Sequence, residues 1–193
     1  MACDLSMLRT APLLLQHLDL FTGKPLKGPV LDLACGEGHN GLYLAAKGLP
    51  VILCDISEEG LERARELAEK LRIGIETWAV DLEQEGINAL AGRSFGGILV
   101  FRYLHRPLIP CIKEALTDNG ILIYETFTTE QPRFGKPHNP DYLLKPGELM
   151  LWFGEWEVIH YFEGVRQDPP CAIAQIVCRK PKAKVGGHPG TRS

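Results

Sequence analysis

The sequence is short of several things, and each absence removes a class of function. It has no C-x-x-C pair among its six cysteines, so zinc-ribbon and dithiol redox sites are excluded and no metal is expected. It has no long apolar run. Leu13-Leu14-Leu15 is broken at once by Gln16, His17 and Asp19, too short and polar for a signal core or a membrane span. It has no excess of positive charge: 21 basic against 24 acidic residues give −3, which does not favour a nucleic-acid footprint. It has no internal repeat. Cys54, Cys171 and Cys178 sit in apolar runs, where a free thiol acts as a small hydrophobe, and this fits a reducing, cytoplasmic setting.

What is present is an alternation of apolar strands and amphipathic helices. The 193 residues suffice for one domain with a substantial core. Strands are predicted over 29–34, 49–54, 73–80, 95–101, 119–126, 156–162 and 171–178, with helices filling the first gaps. That signals βαβ units and a parallel sheet. The helix near 58–71 is the clearest: Ser57 is its N-cap, Glu58 and Glu59 suit the positive dipole end, and Leu61, Ala64, Leu67, Ala68 and Leu71 form one stripe. A leading helix is predicted over 4–21, kinked or restarted at Pro12. Another is predicted from Pro107 to a stop at Thr117–Gly120. Only Glu163–Pro170 separates the last two strands, so they should form an antiparallel hairpin. Residues 128–147 form a long Pro/Gly-rich insertion, read as a lid over a substrate and carrying Arg133, Lys136, His138, Asn139 and Tyr142. The expected division is a helical extension over 1–27, a domain over 28–180 and a flexible tail over 181–193.

The most informative stretch is Val30-Leu31-Asp32-Leu33-Ala34-Cys35-Gly36-Glu37-Gly38-His39-Asn40. A buried strand ends in glycines and runs into a helix, as nucleotide-type cofactor sites do. Gly36, Gly38 and Gly41 match the spacing of a dinucleotide fingerprint. Three acids point elsewhere. Asp32 within the first strand suits an ammonium group. Asp55 at the end of the second suits ribose hydroxyls. Asp81 at the end of the third suits an adenine amino group. Together they suit a ligand with an amine, a ribose and an adenine, and carboxylates repel a pyrophosphate.

On Leu31–Gly38, Asp55 and Val80-Asp81-Leu82, the chain resembles the class I S-adenosylmethionine-dependent methyltransferases over about residues 28–180. The Cys35–Asn40 run resembles the tellurite-resistance and thiopurine methyltransferase branch. The resemblance implies a Rossmann-like, doubly wound α/β fold, with a mostly parallel seven-stranded sheet, one antiparallel strand and helices on both faces. It implies S-adenosylmethionine as cofactor. Asp32 and Gly36 would face its methionine part, Asp55 its ribose and Asp81 its adenine. Ala34, Cys35, Gly38, Asn40, Ile56, Leu82 and Phe101 would complete the cofactor contacts. Ala34 stands where many relatives have glycine, and its methyl tightens the turn.

Methyl transfer from a sulfonium is an in-line displacement with a good leaving group, so positioning dominates and a base is needed only when the acceptor must lose a proton. The candidates at the ends of strands 4 and 5 are Arg102, His105 and Glu125. Arg102 could hold an anion or pair with a neighbouring acid. His105 could be a base or a capping group, and Tyr103 a hydroxyl donor or a packing aromatic. No Asn-Pro-Pro-aromatic motif occurs, which argues against DNA adenine. The expected acceptor is a small molecule, with thiols or metalloid oxyanions as one variant, and the protein is expected as a monomer or homodimer. The competing readings are methylation of a protein or RNA, an NAD(P)-dependent oxidoreductase, and a non-catalytic methyltransferase-like partner protein.

Overall fold

The structure is a computed structural model, and it describes residues 5–183. Residues 184–193, most of the Pro/Gly/Lys-rich tail, and Cys3 lie outside the described residues. Seven strands form one sheet: β1 (Val30–Leu33), β2 (Val51–Asp55), β3 (Glu76–Ala79), β4 (Phe95–Phe101), β5 (Leu116–Phe127), β6 (Glu157–Gln167) and β7 (Pro170–Arg179). Their spatial order is β3-β2-β1-β4-β5-β7-β6. The pairs from β3 to β5 are parallel, while β7 runs antiparallel to both β5 and β6, so β7 alone is reversed. The order turns back at β1, between β2 and β4. In an open α/β sheet that reversal leaves a crevice outside the strands' C-terminal ends.

β1 and β2, together with β4, are apolar almost throughout because both faces are covered. Successive residues of one strand enter different cores. Leu31, Leu33, Ile98, Val100, Leu122 and Tyr124 join one cluster, on the side of α5 (Ile109–Ala115) and α6 (Glu148–Phe153). Val30, Leu53, Leu99, Ile121, Ile123 and Val177 join the other, with α3 (His39–Ala46) and α4 (Glu58–Leu71). Ser57 Oγ accepts from Gly60 N at 3.1 Å, the N-cap expected for α4.

Two expectations are corrected. The predicted leading helix is two short pieces, α1 (Pro12–Gln16) and α2 (Asp19–Thr22). Pro12 sits in the first turn of α1, where its missing N–H does no harm. The helix predicted up to 117–120 is already over at Ala115, because Leu116 is drawn into the sheet opposite Phe95. Lys180 Nζ caps that early end, donating to the carbonyls of Lys113 and Leu116 at 2.6 Å each. No helix among the described residues is long and apolar enough to cross a membrane.

Candidate cofactor cleft

The loop after β1 is built on left-handed backbone. Ala34, Gly36 and Gly38 have φ of 53°, 57° and 71°. For the glycines this conformation is free, whereas Ala34 carries a Cβ into a region that disfavours it. Gly38 and Gly41 also answer a packing demand: a Cβ on them would lie 2.6 Å and 2.3 Å from the Leu53 methyls. The G-x-G-x-x-G spacing therefore serves close approach of α3 to the sheet.

Asp55 ties this loop to the next strand. Its Oδ2 accepts from Gly36 N at 2.7 Å and its Oδ1 from Ser57 N at 2.9 Å. Beyond β3, Asp81 Oδ1 accepts from Glu83 N at 2.9 Å, closing a turn that leaves the carboxylate at the strand end. Between these ends lies a cleft of about 540 Å³, with Ala34, Asp55, Ile56, Asp81, Leu82 and Arg102 on its wall. Ile56 is 69% exposed, a large apolar side chain at the rim that the other described residues leave uncovered. Val80, Glu83 and Tyr103 complete the lining. Among the described residues the buried Tyr103 hydroxyl has no partner at full hydrogen-bond geometry, and its titration is pushed up by burial and then by the nearby Glu83 carboxylate.

A second chamber of about 400 Å³ shares Glu83, Arg102 and Tyr103 with the first. Its far wall comes from Phe127 and from Lys136, Pro137 and Tyr142 of the insertion. The insertion is pinned rather than loose. Thr128 bridges Leu144, and Arg106 reaches the carbonyls of Asp141 and Leu143 and both oxygens of Glu148 at 2.8–3.0 Å. Of the five insertion side chains singled out, Lys136 and Tyr142 line the chamber. Asn139 instead caps a turn by accepting from Asp141 N, and Arg133 pairs with Glu130.

Several candidates do not line the cleft. Asp32 is fully buried and turned toward α3, where its Oδ2 accepts from Gly41 N at 2.7 Å. Burial raises its pKa to about 7, with the neighbouring Asp55 adding to the effect. Asn40 Oδ1 accepts from Ala11 N and so anchors the segment before α1. Phe101 packs against the core of the α3 side. Cys35 is half-buried and its thiol, pushed up by desolvation, stays protonated. His105 precedes the turn at Arg106–Leu108 and lines a separate recess with Cys111 and Ile87. Glu125 lies buried under Arg102, with Oε1 3.1 Å from Arg102 Nη2. For Arg102 the ion pair is present, and the paired side chain also lines both chambers. Val80 and Glu83, passed over as site residues in the sequence, flank Asp81 directly, and that adjacency was the available signal.

The lining suits S-adenosylmethionine. Carboxylates stand at two neighbouring strand ends, Ile56 offers an exposed apolar surface, and the buried Tyr103 hydroxyl has no well-formed hydrogen bond among the described residues.

Comparison with known proteins agrees. Residues 30–120 match the family described as a methyltransferase domain. The chain is 29% identical over 160 residues to TehB of Haemophilus influenzae, named a probable S-adenosyl-L-methionine-dependent methyltransferase, covering 77% of this chain and 54% of that one. It is 41% identical over 161 residues to tRNA 5-carboxymethoxyuridine methyltransferase of Escherichia coli, covering 70% and 62%. The chain thus spans little more than half the length of the curated relatives it matches. The crystal structure of Haemophilus influenzae TehB superposes with a TM-score of 0.65 at 25% identity, over 85% of this chain and 62% of that one. A methyltransferase from Methanosarcina mazei, at 15% identity, shares the fold with a TM-score of 0.66 over 90% and 99%. Over these residues the chain is similar to the class I S-adenosylmethionine-dependent methyltransferases, for which S-adenosylmethionine is the methyl-carrying cofactor.

Proposed function

We propose that this protein transfers a methyl group to a small acceptor bearing an anionic group, of the thiolate or metalloid-oxyanion kind. The observation that carries this reading is the meeting of the two chambers at Glu83, Arg102 and Tyr103. A ligand in the larger chamber and one in the smaller share a wall there. The cofactor supplies a methyl group on a sulfonium, whose sulfur–carbon bond breaks as the bond to the acceptor forms. Asp55 accepts from the ribose hydroxyls in this reading, and Asp81 from the adenine amino group. Ile56 covers the adenine face.

Arg102 and Lys136 orient the acceptor's anion. A lone cation there would also blunt the nucleophile by stabilising its charge. Glu125 beneath Arg102 offsets that, leaving direction with little net field. An acceptor that enters already ionised needs no base, consistent with His105 lying in its own recess.

Calorimetry with S-adenosylhomocysteine tests the cofactor half, and absence of binding at millimolar ligand sinks it. A donor-consumption screen over thiols, metalloid oxyanions, phenols and carboxylates tests the acceptor half, and no turnover with any of them overturns it. The 41% identity to a tRNA methyltransferase favours RNA as a second acceptor class. Radiolabelled donor incubated with cell extract separates the two: label in the RNA fraction, with no small labelled product, supports the second.

A further inference from the structure

On the face of the sheet that carries α1, an unbroken polar row crosses β5, β7 and β6. Arg102 Nη2 lies 3.1 Å from Glu125 Oε1. Gln175 Nε2 donates to Glu125 Oε2 at 2.5 Å. Gln175 Oε1 lies 3.1 Å from His160 Nε2. Glu125 and Gln175 face each other in the β5–β7 register, both buried.

Chemistry fixes the direction of this row. A carboxylate facing an arginine only accepts, so Gln175 must present its NH₂ to Glu125. Its carbonyl then faces His160, and the proton of that imidazole must sit on Nε2. Each member holds the next in one orientation, as satisfied buried networks do. The row ends on Arg102, whose own backbone is left-handed at φ 59° and whose N–H donates to the Glu125 carbonyl at 2.8 Å. The Phe127 ring lies 4.3 Å from its guanidinium carbon. A long, flexible side chain at the junction of two chambers is thus fixed by a carboxylate, a ring and its own main chain.

An ion pair between a buried carboxylate and an exposed arginine is weak evidence for stability, because desolvation of the acid and screening of the base offset the attraction. Its value here is orientation. We infer that Gln175 is a positioning residue: by holding Glu125 in one rotamer it aims Arg102 at the acceptor chamber. This rests on the reading of Arg102 as the group that holds the acceptor's anion.

The test uses Gln175→Leu and the double variant Glu125→Leu/Gln175→Leu, which also removes the buried carboxylate that the single variant leaves short of a donor and so folds where the single variant fails. The first readout is the Arg102 guanidinium by ¹⁵N NMR. A held side chain gives separate, slowly exchanging Nη signals in the wild type and averaged ones in the variants. In Gln175→Leu, S-adenosylhomocysteine affinity stays within about twofold, and with an acceptor from the screen KM rises about tenfold while kcat changes little. A merely structural role lowers the melting temperature and leaves the Arg102 signals distinct. Signals already averaged in the wild type, or unchanged in both variants, overturn the inference. Should no acceptor turn over, the proposed reaction fails while the NMR readout still decides whether Gln175 positions Arg102.

Discussion

The Gly36 amide donates to Asp55 Oδ2 at 2.7 Å, so the loop after the first strand is moored to the end of the second. Asp55 is therefore both a structural tie and a wall of the cleft. Each of its oxygens keeps lone-pair capacity beyond one backbone donor. A ligand hydroxyl can add to this arrangement without disrupting it.

Asp55→Ala is expected to weaken S-adenosylhomocysteine binding by about 10²-fold, the order for losing a charge-assisted hydrogen-bond pair. It should also lower the melting temperature, because Gly36 and Ser57 lose their acceptor. Ile56→Ser separates the two effects, since a side chain 69% exposed contributes little to folding. Calorimetry on both variants decides. Unchanged affinity in Asp55→Ala refutes the ribose assignment.

Ala34→Gly should stabilise the protein. At φ 53° the alanine Cβ costs about 1–2 kcal/mol, while added glycine chain entropy returns about 0.5–1 kcal/mol of it. The net gain is about 0.5–1 kcal/mol, measured by chemical denaturation. Affinity for S-adenosylhomocysteine should move by no more than a fewfold, because only a methyl leaves the cleft wall. A destabilised glycine variant would mean the methyl contributes packing that outweighs the strain.

The strand periodicity and the acids at strand ends are local signals, so the sheet, its reversed strand and the Asp55–Asp81 side of the cleft were legible before any coordinates. Asp32 was not. Its place in strand 1 was plain, but alternation alone could not say whether it met the cleft or the helix across the sheet, and Gly41, nine residues on, takes it. The surroundings of Glu125 were hidden for the same reason: a strand end faces solvent only if its neighbours leave room, and Arg102 and Gln175, 23 and 50 residues away, fill it. Pairings at such separations leave no periodic trace.

Asp32 sets a pH dependence. Its unfolded carboxyl titrates near 3.8, and burial raises the folded value to about 7. Below both values the group is neutral in both states and costs nothing. As pH rises between them the unfolded chain ionises while the folded protein keeps its proton, so stability falls. Above pH 7 the penalty is complete, on the order of 4 kcal/mol at 1.36 kcal/mol per unit. Asp32→Asn cannot ionise and retains an oxygen for Gly41 N. Its stability relative to wild type should therefore climb from pH 5 to about 7 and then level off. Parallel denaturation profiles for the two proteins from pH 5 to 9 would show that Asp32 does not titrate in this range.

Arg106 ties down the insertion that walls the second chamber, reaching Glu148 42 residues away. Its guanidinium takes both Glu148 oxygens and the carbonyls of Asp141 and Leu143, which fixes the stretch carrying Tyr142. Lysine keeps the charge but cannot span a carboxylate and two carbonyls at once. Arg106→Ala should cost about 2 kcal/mol, the order for removing one partner of a part-buried pair and leaving the acceptors behind. The local signature matters more. Amide exchange should accelerate over residues 140–147, KM for the acceptor should rise, and S-adenosylhomocysteine affinity should hold, because no wall of the larger chamber depends on Arg106. Arg106→Lys should fall between alanine and wild type in exchange rate. Exchange over 140–147 that does not change in Arg106→Ala would mean the Thr128–Leu144 bridge holds the insertion by itself.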